Sequence, residues 1–291
     1  MSDMPTFLMT DSSHFEVSYK INPWMTPEAW RKDEARNRVE AREASTALAD
    51  ALRQVGARVI VMAGAPGFPD MVFPANSAIV LNGRALVSRF RYHERQGEER
   101  HFLREFARLK EQGIIEETAR LPKGCWQEGA GDCMWDAPRQ TFWAGFGPRS
   151  SFEAIDTIKD FFGRPVTGLE LISSRFYHLD TCFVPLSGGE ILYYPRAFSK
   201  MAQAAIRDHV PADALIEASD EDAARFAVNA VSIGRDIVMA EPTARLADEL
   251  KERGYSVTPV QLRPFIMAGG GAYCMTLRLD LKSVQEDTLG G

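Results

Sequence analysis

One arrangement recurs along this chain and limits what it can become. A charged segment with helix-like spacing of its apolar residues ends at a glycine, and a β-branched or apolar run follows. It occurs as Ala47 to Gly56 before Arg58 to Met62. It returns as Phe106 to Gly113 before Ile114-Ile115, and as Leu246 to Gly254 before Tyr255 to Val260. A glycine just past a helix takes up the left-handed conformation that closes it, because it has no Cβ to clash. Each unit therefore predicts a helix followed by a strand. The first helix has its own start signal: Thr26 as N-cap, Pro27 in the first turn and Glu28 after it.

Short strand-like runs lie between these units. They are Ala78 to Leu81, Arg84 to Val87, Phe183 to Leu186, Glu190 to Tyr193 and Asp236 to Met239. Asn82-Gly83, Ser187-Gly-Gly189 and Gly234-Arg235 join runs in the manner of hairpin turns. The chain thus reads as strand-strand-helix-strand modules of unequal length, which argues against a regular solenoid. No long Pro/Ser/Gly linker and no low-complexity tract divides it. The expectation is one α/β domain over residues 1–291, with Gly290-Gly291 as a frayed tail.

Composition sets the compartment and the partners. With 45% hydrophobic and 25% charged residues, the chain has ordinary globular values. A net charge of -6 argues against bulk affinity for nucleic acid or an anionic membrane. No apolar run approaches the roughly 20 residues of a membrane span, and the first residues lack the basic head and apolar run of a signal peptide. The four cysteines, Cys125, Cys133, Cys182 and Cys274, form no C-x-x-C pair. A cytoplasmic, reduced protein is expected, and the composition leaves a homo-oligomer open.

Three segments carry candidate chemistry. Gly269-Gly270-Gly271-Ala272-Tyr273-Cys274 places a thiol on a glycine-rich backbone before a short strand from Thr276 to Leu279. A buried, inert cysteine is the plain alternative. Phe176 to Phe183 reads as a strand whose alternation puts His178, Asp180 and Cys182 on one face. That face suits a general acid/base beside a carboxylate; a metal site and a satisfied core histidine are the alternatives. Glu128-Gly-Ala-Gly-Asp132 sets small residues between two carboxylates, so backbone and ligand can approach closely. Glu128 can pair with a cation and Asp132 can brace the loop or the histidine; a surface turn is the plain reading. Asp70, Asn76 and Asn22 stand in loops where turn capping competes with ligand binding. Arg89, Arg91 and Arg95 crowd the segment after Val87; any of them, Arg91 among the site candidates, can fork a substrate carboxylate, and a solvated charged face is the plain alternative.

These motifs resemble the guanidine-modifying superfamily of arginine deiminases, dimethylarginine dimethylaminohydrolases, amidinotransferases and arginine dihydrolases. The resemblance runs from Ile21-Asn-Pro-Trp24 to Cys274-Met-Thr-Leu-Arg-Leu279. Pro69 to Phe73, Ala75-Asn76, Arg95 to Glu99, Glu128 to Asp132, Phe176 to Phe183, Asn229-Ala-Val231 and Ile233-Gly-Arg235 look most like the arginine dihydrolase branch.

The resemblance implies a five-bladed α/β-propeller of pseudo-repeated ββαβ units. It implies Cys274 as nucleophile, His178 as acid/base, and Glu128 and Asp180 as the grip on a guanidinium. Asn76 and Asn22 match the dihydrolase-like branch, whereas deiminases and dimethylarginine hydrolases usually carry aspartate at the position of Asn76. Where the branch reads Thr-Ala-Asn-Ala-Gly, this chain has Pro74-Ala-Asn-Ser-Ala78, which leaves a methylated guanidine open as substrate. No cofactor or metal is implied, and the expected partner is a small guanidino compound. An amidinotransferase and a non-catalytic arginine-binding protein are the rival readings.

Overall fold

A computed structural model describes residues 4–284. Its strands form five sheets of three strands each. One plan repeats in all five: the first strand runs antiparallel to the middle one, and the third runs parallel to it. A parallel return needs a crossover, and helices supply it. The second module shows the plan plainly. Ala78–Leu81 turns at Asn82-Gly83 into Arg84–Val87, helix Glu99–Glu111 crosses over, and Glu117–Arg120 returns. Both turn residues have positive φ, as a tight two-residue hairpin demands.

The third module runs from Cys133–Asp136 to Val166–Glu170, with helix Ala154–Phe162 between its last two strands. The fourth runs from Phe183–Pro185 to Leu215–Glu217 with helix Lys200–His209, and the fifth from Val231–Ile233 to Ser256–Pro259 with helix Ala244–Glu252. The remaining module is split between the two ends of the chain. Leu277–Arg278 pairs antiparallel with Thr6–Thr10, which pairs parallel with Arg58–Met62 after helix Glu34–Gln54. The last strand thus completes the first sheet and closes the ring. The first strands of the second, third and fourth modules touch in turn, which places them on the inner wall. This is the five-fold ββαβ propeller that the resemblance implied.

The glycine-ended helices form as read: Gly56, Gly113 and Gly254 all follow helices with positive φ. Other expectations fail for local reasons. Ile114-Ile115 is not a strand; Ile115 is buried in the core under helix Glu99–Glu111, and the strand begins at Glu117. Thr26 occupies the N-cap position but makes no side-chain cap. The segment from Phe176 to Cys182 is not a strand either. Residues Leu179–Thr181 make a 3-10 turn, and the strand starts at Phe183. Thr181 closes that turn by donating from both its backbone N–H and its hydroxyl to the His178 carbonyl, a competition that short polar side chains often win against a strand. The Gly290-Gly291 tail lies outside the described residues.

Leu8 sits on the middle strand of the closing sheet and is fully buried. Leu8→Ala should lower unfolding free energy by about 2–5 kcal/mol in denaturant titration. A loss under about 1 kcal/mol would mean that ring closure adds little stability.

Candidate active site

The polar residues of interest stand in the loops that lead into the first strands. A 3-10 turn, Pro74–Ser77, carries Asn76 into Ala78–Leu81. Another, Gly129–Gly131, lies between Glu128 and Asp132. A third, Leu179–Thr181, follows His178 and contains Asp180. Asn229 precedes Val231–Ile233, and Cys274 precedes Leu277–Arg278. Glu128 and His178 thus stand at the same place in consecutive modules, each just ahead of its turn.

Cys274 is held from two sides. Its Sγ donates to Asp180 Oδ2 at 3.0 Å. Asn229 donates from Nδ2 to that sulfur at 3.1 Å and accepts the Cys274 N–H at 3.2 Å. The same amide nitrogen donates to the Asp180 carbonyl, which fixes Asn229 relative to both. The triple glycine permits this packing. A Cβ on Gly270 would fall 2.3 Å from the Phe73 ring, and one on Gly271 would fall 2.8 Å from Asn229 Oδ1.

His178 and Glu128 meet at 2.7 Å through Nε2 and Oε2. Arg149 donates to the same oxygen at 2.9 Å, and the Arg91 backbone N–H reaches Oε1 at 3.1 Å. Burial alone would raise the Glu128 pKa; the Arg149 charge, with the hydrogen bond and charge of His178, outweighs it and holds the group below the usual carboxylate range. An ionised Glu128 only accepts, so Nε2 of His178 carries hydrogen and Nδ1 is left for proton exchange. Asp132 anchors the same region. It accepts the Leu179 N–H at 2.9 Å and the Ser150 hydroxyl at 2.6 Å. Burial pushes it up to about 6, against the opposing pull of His178.

Cys274, His178, Asn76 and Asn22 line one small cavity. Asp70, Arg95, Arg149 and Tyr177 line it as well. Asp180, Glu128 and Asp132 are completely buried and lie outside that lining. Burial pushes Asp180 up to about 7, although Cys274 and Asn229 both hydrogen-bond to it, and its Oδ1 is buried without a partner. Burial, then the nearby Asp180, pushes the Cys274 thiol well above its ordinary value. Without a ligand, acid and thiol share a proton inventory that suits neither charge.

Two assignments change in detail. Both oxygens of Glu128 are engaged by Arg149, His178 and the Arg91 backbone, so its geometry is that of a partner for the imidazole rather than of a free grip. The Arg91 side chain is exposed and donates to the carbonyls of Gly147 and Pro148, outside the cavity. His178, Asp180 and Cys182 do not share a face: their side chains go to Glu128, to Cys274 and to backbone carbonyls. Among the described residues, no group of three or more His, Cys, Asp or Glu side chains could hold a metal ion.

No local sequence signal marks Arg149. It is buried, stacks between Tyr92 and Tyr177, and donates to the Ile21 carbonyl. Its neighbours, Gly147-Pro148 and Ser150-Ser151, look like an ordinary surface turn. The contact of Asn229 with the thiol was equally hidden, because a distant loop makes it. Asn76 is more constrained than its sequence suggests. Its carbonyl oxygen accepts from Arg95 at 2.8 Å and its amide donates to the Glu128 carbonyl at 3.2 Å. Asn22 donates to the Ala268 carbonyl and to the Tyr177 hydroxyl, and so ties the entry loop to the glycine segment.

The raised pKa of Asp180 has a stability consequence. An unfolded aspartate titrates near ~3.9, so above that pH the folded state must either bind a proton or bury a charge. The penalty grows as pH rises and is complete above about 7. It amounts to about 4 kcal/mol over roughly three pKa units. Asp180→Asn should therefore melt at a higher temperature than wild type at pH 8, with the two converging near pH 4. A lower melting temperature at pH 8 would contradict this.

Known proteins place the fold and the site in context. The family model for N,N dimethylarginine dimethylhydrolase, eukaryotic, matches residues 15–281. The bifunctional arginine dihydrolase/ornithine cyclodeaminase ArgZ of Synechocystis is 39% identical over 279 residues, 96% of this chain but 38% of that protein. The chain therefore spans well under half the length of that curated relative. The N(G),N(G)-dimethylarginine dimethylaminohydrolase of Mycobacterium tuberculosis is 34% identical over 276 residues, 94% of this chain and 85% of the relative. A crystal structure of a variant N-terminal domain of ArgZ, covalently bonded to a reaction intermediate, superposes with a TM-score of 0.88 at 36% identity. It covers 97% of this chain and 100% of that one. With the motifs, the fold and these relatives in agreement, the chain belongs to the N,N-dimethylarginine dimethylhydrolase family.

Proposed function

We propose that this chain is a cysteine-dependent hydrolase of arginine that runs the dihydrolase reaction to ornithine, two ammonia and carbon dioxide. One observation carries the reading: the Cys274 thiol bonds to buried Asp180 beside a cavity that His178 also lines. A guanidinium is a flat cation. Placed against Asp180, it stabilises the ionised carboxylate and helps Cys274 lose its proton. The thiol proton passes to Nδ1 of His178, and the thiolate attacks the guanidino carbon, forming a C–S bond. His178, oriented by Glu128, protonates the departing amine, so ammonia leaves and an S-alkylthiouronium remains. His178 then takes a proton from water, which attacks the same carbon and releases citrulline and the thiol.

The second round depends on Asn76. An amide group has two N–H donors, and one is used on the Glu128 carbonyl. The other can serve a neutral ureido oxygen, which an aspartate could not. A second attack by Cys274 on the ureido carbon then expels the second ammonia, and hydrolysis gives carbon dioxide and ornithine. The same cavity suits an amino acid: Arg149 lines it as a cation, and Asp70, also in its lining, has a buried carboxylate oxygen without a partner. A single domain over residues 1–291 and a reduced, cytoplasmic setting fit a reaction that needs a free thiol; all four cysteines are free and buried.

A one-step hydrolysis of methylated arginine to citrulline is the second reading, favoured by the mycobacterial relative and by Pro74-Ala-Asn-Ser-Ala78. Mass spectrometry of products from arginine, monomethylarginine and asymmetric dimethylarginine separates the two. Two ammonia per arginine, with ornithine, is the expected outcome; one ammonia with accumulating citrulline rejects the dihydrolase. Asn76→Asp should divert the product towards citrulline, and Cys274→Ala should abolish turnover. Formation of an amidino adduct on added glycine or lysine would instead indicate a transferase.

The pH profile follows from Asp180. Below about 7 it is protonated in the free protein and cannot meet a cation with charge. The kcat/KM for arginine should therefore fall about tenfold per unit below pH 7. A flat profile from pH 5 to 7 would exclude Asp180 as the ionising grip.

A further inference from the structure

A second cavity, of about 80 Å³, lies among residues of the inner strands and of the turns that leave them. Phe7, Trp135, Leu186, Val231, Tyr273 and Arg278 are among its walls. It has no residue in common with the cavity beside Cys274. Its walls are mainly apolar, and each of its spare polar groups can donate a hydrogen bond. The Trp135 indole N–H is buried with no partner, on a side chain that is 7% exposed. Indole only donates, so only an acceptor can satisfy it. Among the described residues, the Tyr273 hydroxyl makes no hydrogen bond. Arg278 donates to Asp280 and to the Ser232 carbonyl, which leaves part of its fork free.

The geometry points to a binding site for a small carboxylate with a short apolar body, separate from the guanidine site. The carboxylate accepts from Trp135 and the free edge of Arg278, and the body packs on Leu186 and Val231. Tyr273 is the residue before Cys274, and its N–H donates to the Asn229 carbonyl at 3.4 Å. Asn229 in turn bonds to the thiol. An occupant resting on Tyr273 therefore shifts the reactivity of Cys274.

Calorimetric titration of the intact protein with 4-methylpentanoate tests the site, with 4-methylpentanamide as the uncharged probe. Saturable binding of the carboxylate with Kd on the order of 1 mM is expected. Trp135→Phe and Arg278→Met should each weaken it about tenfold or more. Trp135→Phe keeps an aromatic ring in the strand, so it preserves the test if Arg278→Met does not fold by circular dichroism. No saturable heat, equal affinity for the amide, or unchanged affinity in Trp135→Phe overturns the proposal. Iodoacetamide alkylation of Cys274 should change in rate when the carboxylate is bound; an unchanged rate removes the coupling to the thiol.

Discussion

Three carboxylates are buried side by side in this molecule, and they are balanced very unequally. Glu128 has Arg149 and the imidazole of His178. Asp132 is held by a hydroxyl and a backbone N–H, and Asp180 by a thiol and, through its own carbonyl, an amide. Burying an unpaired carboxylate is costly, so such groups retain protons until a positive charge arrives. The wall is thus divided into a satisfied half that sets the imidazole and an unsatisfied half that awaits a cation. The rest of the fold maintains that imbalance.

The five-module plan explains how so many polar groups reach one place. Each first strand is entered through a tight loop, and in several modules that loop is a 3-10 turn. A turn of this kind leaves a side chain free just before the strand, where the modules converge. The same slot holds glutamate in one module and histidine in the next, and the two meet directly. Close approach demands small residues between them: a Cβ on Gly131 would fall 2.1 Å from Asn76 Nδ2. The Gly-Ala-Gly segment is therefore a packing requirement as much as a flexible loop.

The periodic parts of the chain were legible. Helices with glycine stops and hairpins with Asn-Gly or Gly-Arg turns formed where their local signals stood, because backbone conformation decided them. The run from Phe176 to Cys182 alternates like a strand, but its hydrogen bonds go elsewhere. Asp132, nearly fifty residues away, captures the Leu179 N–H that a strand would have used. The site residues with unusual local surroundings, Cys274 after its glycines and His178 beside Asp180, stood out in sequence. Arg149 and the thiol contact of Asn229 did not, since their roles arise only from partners brought near by ring closure. The engagement of both Glu128 oxygens was invisible for the same reason.

Ring closure by Leu277–Arg278 has a further meaning for synthesis. The thiol lies just ahead of the strand that zips against Thr6–Thr10, a strand made more than 250 residues before it. Acids and imidazole are made long before the sulfur that reacts. A growing polypeptide therefore carries an unarmed pocket, and reactivity begins only when the two extremes of the sheet join.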